Sequence, residues 1–399
     1  LLGWRTIVIF FVLALATACD RARTPLTQDA YIWQRTWTPA LRASVDTATD
    51  AVSQWRVLAA QVDADGQFRT FSPDVDSLLA TKRPVVLVVR IDGRLANLDA
   101  AALVERIAEL SARSDSRVGG IEIDYDCATA KLPAYAAFLS TLKPRLPGRW
   151  LSITALPAWM DSKQVDTVTA AVDEAVLQVH AVQSPHAGLF DADMAYRWIR
   201  SFAKHTRAGY RVALPTYGSR VSWDGDGRLL AVESEKAGLV PGSSSAELAA
   251  SPREVSRLLD LLEKSRPANL RGIVWFRLPT SDDQRAWSMT TWLAVMRGRY
   301  VDGHVATVFQ PAATPGMLDV LIRNDGDTDA VVPASVDLPE GCRLADGIKG
   351  YVLHRDGNAV TLRTDDARFL RAHTQQAIGW TRCGAPATPS PTPSSSSSA

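Results

Sequence analysis

The chain has 399 residues, 46% of them hydrophobic and 22% charged, with a formal net charge of +1. That length buries a large core and implies more than one domain. Lys and Arg balance Asp and Glu, and no basic run is present to grip phosphates, which excludes nucleic acid as a partner.

Arg5 followed by the apolar stretch Thr6–Leu15 has the layout of an export segment, too short to span a bilayer. It ends in Ala16-Thr17-Ala18-Cys19, which resembles a bacterial lipobox. The resemblance implies that residues 1–18 are removed and that Cys19 carries a lipid. The protein is then expected on the bacterial cell envelope, anchored to the inner or outer membrane and facing the periplasm. Residues 19–28 read as a linker. In an oxidising compartment the two late cysteines, Cys342 and Cys383, are expected to form a structural disulfide. Cys127 is left as a buried free thiol.

From residue 29 the chain alternates between strand-like and helix-like segments. Candidate strands are Ala30–Gln34, Trp55–Val62, Pro84–Asp92, Val118–Asp126, Trp150–Pro157, Ala175–Val182, Tyr210–Tyr217 and Gly272–Leu278. Helical patterns follow them at 40–47, 72–79, 99–114, 132–143, 162–171, 192–206, 252–265 and 283–297. Asp99, followed by Leu103, Ile107 and Leu110, is a capped amphipathic helix start. Eight strand–helix pairs over residues 29–300 predict an α/β (β/α)8 TIM barrel. No Gly-x-Gly-x-x-Gly follows the first strand, which argues against a dinucleotide-binding sheet.

The fourth strand carries the chemistry. Gly119-Gly120-Ile121-Glu122-Ile123-Asp124-Tyr125-Asp126 alternates strictly, so the three acids share one face. Folding alone gives no reason for such a row. Pointed inward, it places Glu122 deepest, Asp124 midway and Asp126 at the C-terminal mouth, where barrels of this kind keep their active sites. Crowded carboxylates raise one another's proton affinity, so one of them can donate a proton near neutrality. That pairing suits glycoside hydrolysis. A metal site is the competing use of clustered acids; with all three on one strand and no His beside them, no metal or other cofactor is expected.

After the seventh strand, Gly218–Ser251 reads as a rim excursion, with strand-like Arg220–Ser222 and Leu229–Val232 around the turn Trp223-Asp224-Gly225-Asp226-Gly227. Residues 301–384 show short alternating runs divided by Asp-Gly turns, a small all-β, sandwich-like domain stapled by the late disulfide. Residues 385–399 form a Pro/Ser/Thr tail with too little apolar content to fold.

Three stretches resemble family 18 glycoside hydrolases, the chitinase-like enzymes. Gly120–Asp126 is similar to that family's fourth-strand signature, Leu214-Pro215-Thr216-Tyr217-Gly218 to its seventh-strand Pro-x-Tyr-Gly, and Gly272-Ile273-Val274-Trp275-Phe276 to its eighth-strand segment. The resemblance covers about residues 29–300. It implies catalysis by Asp126, Asp124 and Glu122, with Trp275 as the floor beneath a sugar and Tyr217 beside it. The layout of lipobox, barrel and β domain also resembles a bacterial lipoprotein family of unknown function. Three positions depart from the enzyme pattern. Glu122 stands where the family has Asp, and Asp126 where it has the longer Glu. The sixth strand offers Gln178 and His180 in place of a Tyr-Asp pair.

Other substrate-binding candidates come from strand ends. Arg90 and Arg277 would neutralise part of the acid row and suit an acidic sugar. Trp33 and Trp159 are candidate stacking surfaces, and twelve Trp in the chain serve cores as readily as sugars. Three readings remain open: an envelope glycosidase acting on a polysaccharide, a carbohydrate-binding barrel without catalysis, and a structural envelope protein whose acids and arginines form a buried network.

Overall fold

The computed structural model describes residues 24–180, 189–226, 229–233, 244–283, 285–357, 359–365 and 368–383. The lipobox with Cys19, the end of the expected sixth strand beyond residue 180, Gly227 of the rim turn and the Pro/Ser/Thr tail lie outside the described residues.

Eight parallel strands close into a barrel: β1 (Thr27–Ile32), β2 (Gln54–Val62), β3 (Val85–Ile91), β4 (Gly120–Tyr125), β5 (Trp150–Ala155), β6 (Glu174–Gln178), β7 (Tyr210–Pro215) and β8 (Leu270–Phe276). Closure comes from β1, which pairs with β8 through Ala30 and Trp275 and with β2 through Ala30 and Trp55. A short antiparallel strand, Phe68–Thr70, lies on β2. The first strand begins three residues earlier than its hydrophobic pattern, inside the expected linker, because Thr27 pairs with Gly272 and only a glycine there leaves room for the Thr27 side chain.

Helices α1 (Pro39–Ala48), α2 (Val75–Ala80), α3 (Ala100–Arg113), α4 (Leu132–Leu142), α5 (Gln164–Ala170), α6 (Ala192–Phe202), α7 (Pro252–Lys264) and α8 (Met289–Met296) follow the strands in turn. Thr38, Asp74, Asp99, Asp191, Ser251 and Ser288 cap six of them by accepting a hydrogen bond from a main-chain N–H of the first turn. Each such cap is worth about 1 kcal/mol. The last helix starts later than its sequence pattern. Residues 285–287 are held instead by the segment after β7, where Gly218 N–H bonds the Arg285 carbonyl at 2.8 Å and Trp287 N–H bonds that of Thr216 at 2.8 Å.

Strand parity divides two cores. Ile121, Ile123 and Tyr125 of β4 face the helices together with Trp55, Val57 and Trp275. The barrel interior holds Tyr31, Trp33, Leu58, Val88, Val176, Ala213 and Val274 as its apolar plug. Glu122 and Asp124 alternate with the outward residues and so point inward. At the rim, Gly218–Trp223 is the middle strand of a three-stranded sheet between Leu229–Glu233 and Ser244–Ala249. The third of these strands arises from a Gly/Ser-rich run that carries no hydrophobic alternation.

The C-terminal region is built of antiparallel sheets. Its largest runs in the order 305–311, 317–324, 374–383, 342–347, and a three-stranded sheet is centred on 359–363. Cys342 and Cys383 are disulfide-bonded across neighbouring strands. The region docks on the barrel through Asp329, which accepts the Ser288 N–H at 2.6 Å, and through Arg371, which donates to the Ala286 carbonyl at 3.1 Å.

Candidate active site at the barrel mouth

The acid row splits into two environments. Glu122 has no solvent exposure. Tyr31 donates its hydroxyl to Glu122 Oε1 at 2.5 Å, Ser152 donates to Oε2 at 2.9 Å, and Arg56 is ion-paired to it. The same guanidinium reaches Asp29 at 3.1 Å and Glu174 at 2.5 Å, and Arg211 joins Glu174 at 2.9 Å. Six strands thus contribute to one buried network at the base of the barrel. Burial pushes Asp29 upward, beyond what Arg56 and Arg211 recover. Burial also opposes the charge on Glu174, but there the two arginines win and hold it below its ordinary value. Arg56 stays charged because its carboxylates outweigh burial.

Glu122 is therefore corrected from a catalytic acid to the structural counter-ion of Arg56: nothing from solvent reaches it, and both of its oxygens are bonded. Gly120 makes room beneath. A Cβ there would come within 2.6 Å of the Trp150 ring, whose face lies 5.5 Å from the Arg56 guanidinium.

One layer up, Asp124 is 4% exposed. Thr154 donates to its Oδ1 at 2.7 Å and Gln178 to the same oxygen at 3.2 Å. Arg90 is its neighbour in register on β3. Burial pushes the Asp124 carboxyl up to about 7, with Asp126 adding to the rise and Arg90 and Thr154 opposing it. Asp126 follows the end of β4 and is solvent-exposed, yet protein surrounds it on most sides, as at the bottom of a concave mouth. Loss of hydration there raises its carboxyl, Arg90 pulls it down, and Asp92 pushes it up again. Cα atoms two residues apart on a strand are roughly 6.6 Å apart, so the two carboxyls sense each other directly.

Two contacts hold Asp126 in place. Gly93, just after β3, packs so closely on its main chain that a Cβ at 93 would overlap the Asp126 carbonyl oxygen and come within 3.0 Å of its carbonyl carbon. Lys131 ties the two loops by donating to the Leu95 carbonyl at 2.5 Å.

The aromatic floor is Phe276, not Trp275. Phe276 stacks on His180 at 5.6 Å and meets Tyr217 at 5.5 Å, Tyr31 at 5.6 Å and Trp33 at 4.9 Å. Trp275 has no exposure, packs on Trp287 and Trp292 in the helix-facing core, and donates its indole N–H to Gln28 at 2.8 Å. The sequence reading is corrected by one residue on β8. Trp159 is likewise a core residue and not a stacking surface; it is 1% exposed, and its N–H bonds the Cys127 carbonyl at 2.8 Å.

Trp33 stands at the mouth but is 5% exposed, its faces taken by Tyr31 and Phe276. His180 donates its Nδ1–H to the Ala213 carbonyl, 3.2 Å away, and burial pulls its imidazole down to about 4, so it is neutral at pH 7. Burial pushes the Tyr217 phenol up to about 12, and Asp126 is near enough to add to the rise. Arg277 does not reach the acids: it binds Asp283 at 2.5 and 3.0 Å and lies 5.7 Å from the Tyr217 ring. Cys127 is free and buried, its thiol pushed up to about 12 by burial.

Arg56, Asp29, Glu174, Arg211, Thr154 and Gly93 were missed from sequence. Arg56 alone had a signal, a lone charge within the apolar run Trp55–Ala60.

Residues 81–281, half of the chain, match the sequence family described as Domain of unknown function (DUF3142). The chain belongs to that family. Its residues 307–384 match a second domain of unknown function, DUF8456. No curated protein sequence matches the chain. Among solved structures it is similar to a chitinase from Chromobacterium violaceum ATCC 12472, with a TM-score of 0.50 and 15% identity over 69% of this chain and 99% of that one. It is also similar to the spore cortex-lytic enzyme SleL of Bacillus megaterium QM B1551, with a TM-score of 0.50 and 12% identity over 69% of this chain and 74% of that one. At these identities the likeness is one of fold: a chitinase-like, family 18 glycoside-hydrolase-like TIM barrel.

Proposed function

We propose that this DUF3142 protein is a glycosidase acting on a polysaccharide, with Asp126 as the acid that protonates the leaving oxygen. Asp124, held by Thr154 and Gln178, holds the pair's proton near neutrality and, once that proton has passed to Asp126 as Asp126 gives its own to the leaving oxygen, stabilises as an anion the positive charge that develops at the anomeric carbon. The observation that carries the reading is the pair of elevated carboxyls at the C-terminal end of β4, Asp124 buried and Asp126 exposed, with Tyr217 of the Phe276 aromatic cluster near enough to Asp126 to sense its charge. A pair sharing one proton near neutrality supplies both a donor and an anion, which glycoside hydrolysis requires. The fold of the solved chitinase and of the cortex-lytic enzyme supports a glycan as the substrate class. The test is a panel of neutral and acidic polysaccharides incubated with the full chain. Reducing ends should appear with wild type and not with Asp126→Asn; a panel with no turnover at all removes the enzymatic reading.

A carbohydrate-binding barrel without catalysis is the second reading. It is favoured by the short Asp126 carboxyl and by Gln178, an amide, as the sixth-strand partner of Asp124. Misplacing an acid by about 1 Å costs on the order of a hundredfold in rate. Saturable glycan binding that survives Asp126→Asn, with no turnover by wild type, selects it.

Ala16-Thr17-Ala18-Cys19 supports attachment of this protein to the bacterial envelope through a lipid on Cys19. Radiolabelled palmitate should enter the wild type and not Cys19→Ala.

A further inference from the structure

A cleft of about 1010 Å³ runs from the barrel mouth to the C-terminal region. Arg277 lines it and is its link to the acids: the Arg277 guanidinium lies over the Tyr217 ring, and Tyr217 in turn senses the charge of Asp126. Trp33 and Trp287 wall it from the barrel side, and Phe369 from the other.

Among its described lining residues, Lys349, Arg368 and Arg371 bring positive charge from the C-terminal region, and the carboxylates are those of Asp282, Asp283 and Asp329. Those acids already serve the fold. Asp283 binds Arg277, Asp329 accepts the main-chain N–H groups of Ser288 and Ala372, and Asp282 accepts the Thr38 and Thr280 hydroxyls. Arg371 is held by the main-chain carbonyls of Thr280, Ser281, Asp283 and Ala286, and Arg368 by the Lys349 carbonyl. Carbonyls fix a guanidinium without cancelling its charge. Among the described residues, neither Arg368 nor Arg371 has a carboxylate within ion-pair range, and the Nε of each is buried without a hydrogen-bond partner.

We propose that this cleft binds the anionic groups of an acidic saccharide, carboxylate or phosphate, so that the C-terminal region forms one wall of the substrate site. The proposal rests on the glycan reading above and names the substrate class within it. Guanidinium groups fixed by neutral acceptors are suited to planar or tetrahedral oxyanions. Lys349 is exposed and supplies a mobile charge at the cleft edge.

The experiment is a calorimetric titration of the full chain with tetragalacturonate, a phosphorylated maltooligosaccharide and neutral chitotetraose, at low and high salt. At least one anionic probe should bind, weaken about tenfold at high salt, and weaken about tenfold in Lys349→Glu, while the neutral probe is indifferent to both changes. The anionic probe that binds identifies the group. Arg368→Gln should give the same loss, with melting temperature reporting that each variant is folded. Equal affinity for neutral and anionic probes, no saturation by either anionic probe, or an unchanged Kd in Lys349→Glu overturns the proposal. Turnover of a neutral glycan with no anion dependence would overturn it while leaving the glycosidase reading intact. Anion-dependent binding without turnover would do the reverse.

Discussion

Gly93 and Asp126, from the ends of neighbouring strands, are in main-chain contact, and a side chain at 93 would occupy the space of the Asp126 carbonyl oxygen. The position of the outermost acid is therefore set by the residue that is absent beside it. Gly93→Ala is expected to push Asp126 out of line and cut turnover by about a hundredfold, the order expected for a displacement near 1 Å. Folding should suffer less, since the contact lies at the rim. Steady-state kinetics alongside thermal melting checks this; unchanged kcat in a folded variant would refute it.

Asp124 and His180 should shape the pH dependence of stability in opposite senses. The Asp124 carboxyl, raised in the fold to about 7, keeps a proton that the unfolded chain has released, so its contribution falls as pH rises from about 4 to about 7. His180, lowered to about 4, resists a proton that the unfolded chain takes up, so its contribution is lost as pH falls through 6.5 toward 4. In wild type the two slopes offset. Asp126, Arg90, Glu122 and Thr154 all act on Asp124, and none of them removes the rise. Asp126 and Asp29 are raised as well and keep their own opposing slopes, so Asp124→Asn should turn the pH dependence between 4 and 6.5 toward stability rising with pH, by at most about 1.4 kcal/mol per pH unit relative to wild type. Urea melts of both proteins at pH 4, 5.5 and 7 measure it, and an unchanged slope would contradict the assignment.

Arg56 is the cation that makes the base of the barrel possible. Arg56→Met leaves Asp29, Glu122 and Glu174 buried around an apolar side chain. Breaking a buried pair in this way costs about 3–5 kcal/mol. Adding Glu122→Gln should recover part of that loss, because one of the stranded charges is removed. Chemical denaturation of the single and double variants tests the coupling; purely additive effects would mean that the two residues do not depend on each other.

Phe276 and Trp275 occupy opposite faces of one strand, the first in the interior aromatic cluster and the second in the helix-facing core. Phe276→Leu should weaken glycan binding about three- to tenfold, the worth of one aromatic contact. Trp275→Phe should lower the melting temperature, through the lost bond to Gln28 and the vacated volume, and leave the glycan Kd unchanged. The reverse pattern would restore Trp275 as the sugar platform.

Much of this protein was legible in its sequence because the signals are local. A period of two places Glu122 and Asp124 on one face of a strand, whatever that strand packs against. Asp99 and Ser251 announce their helices because capping satisfies N–H groups only three residues away. The order of strand and helix then admits little besides a closed barrel. On β8 the same logic failed. Ile273, Val274, Trp275 and Phe276 are apolar without a break, so no alternation tells the inner face from the outer.

Tertiary structure alone decided what each acid does. Glu122 and Asp124 look alike in sequence, but Arg56 from β2, Asp29 and Tyr31 from β1, Ser152 from β5 and Glu174 from β6 close over the first. Among the described residues the second receives hydrogen bonds from Thr154 and Gln178, and Asp126 is left exposed beyond it. Whether a carboxylate is a structural charge or a reactive one depends on the counter-charges and water around it. Those are supplied by strands distant in the chain, and no spacing within one strand encodes them.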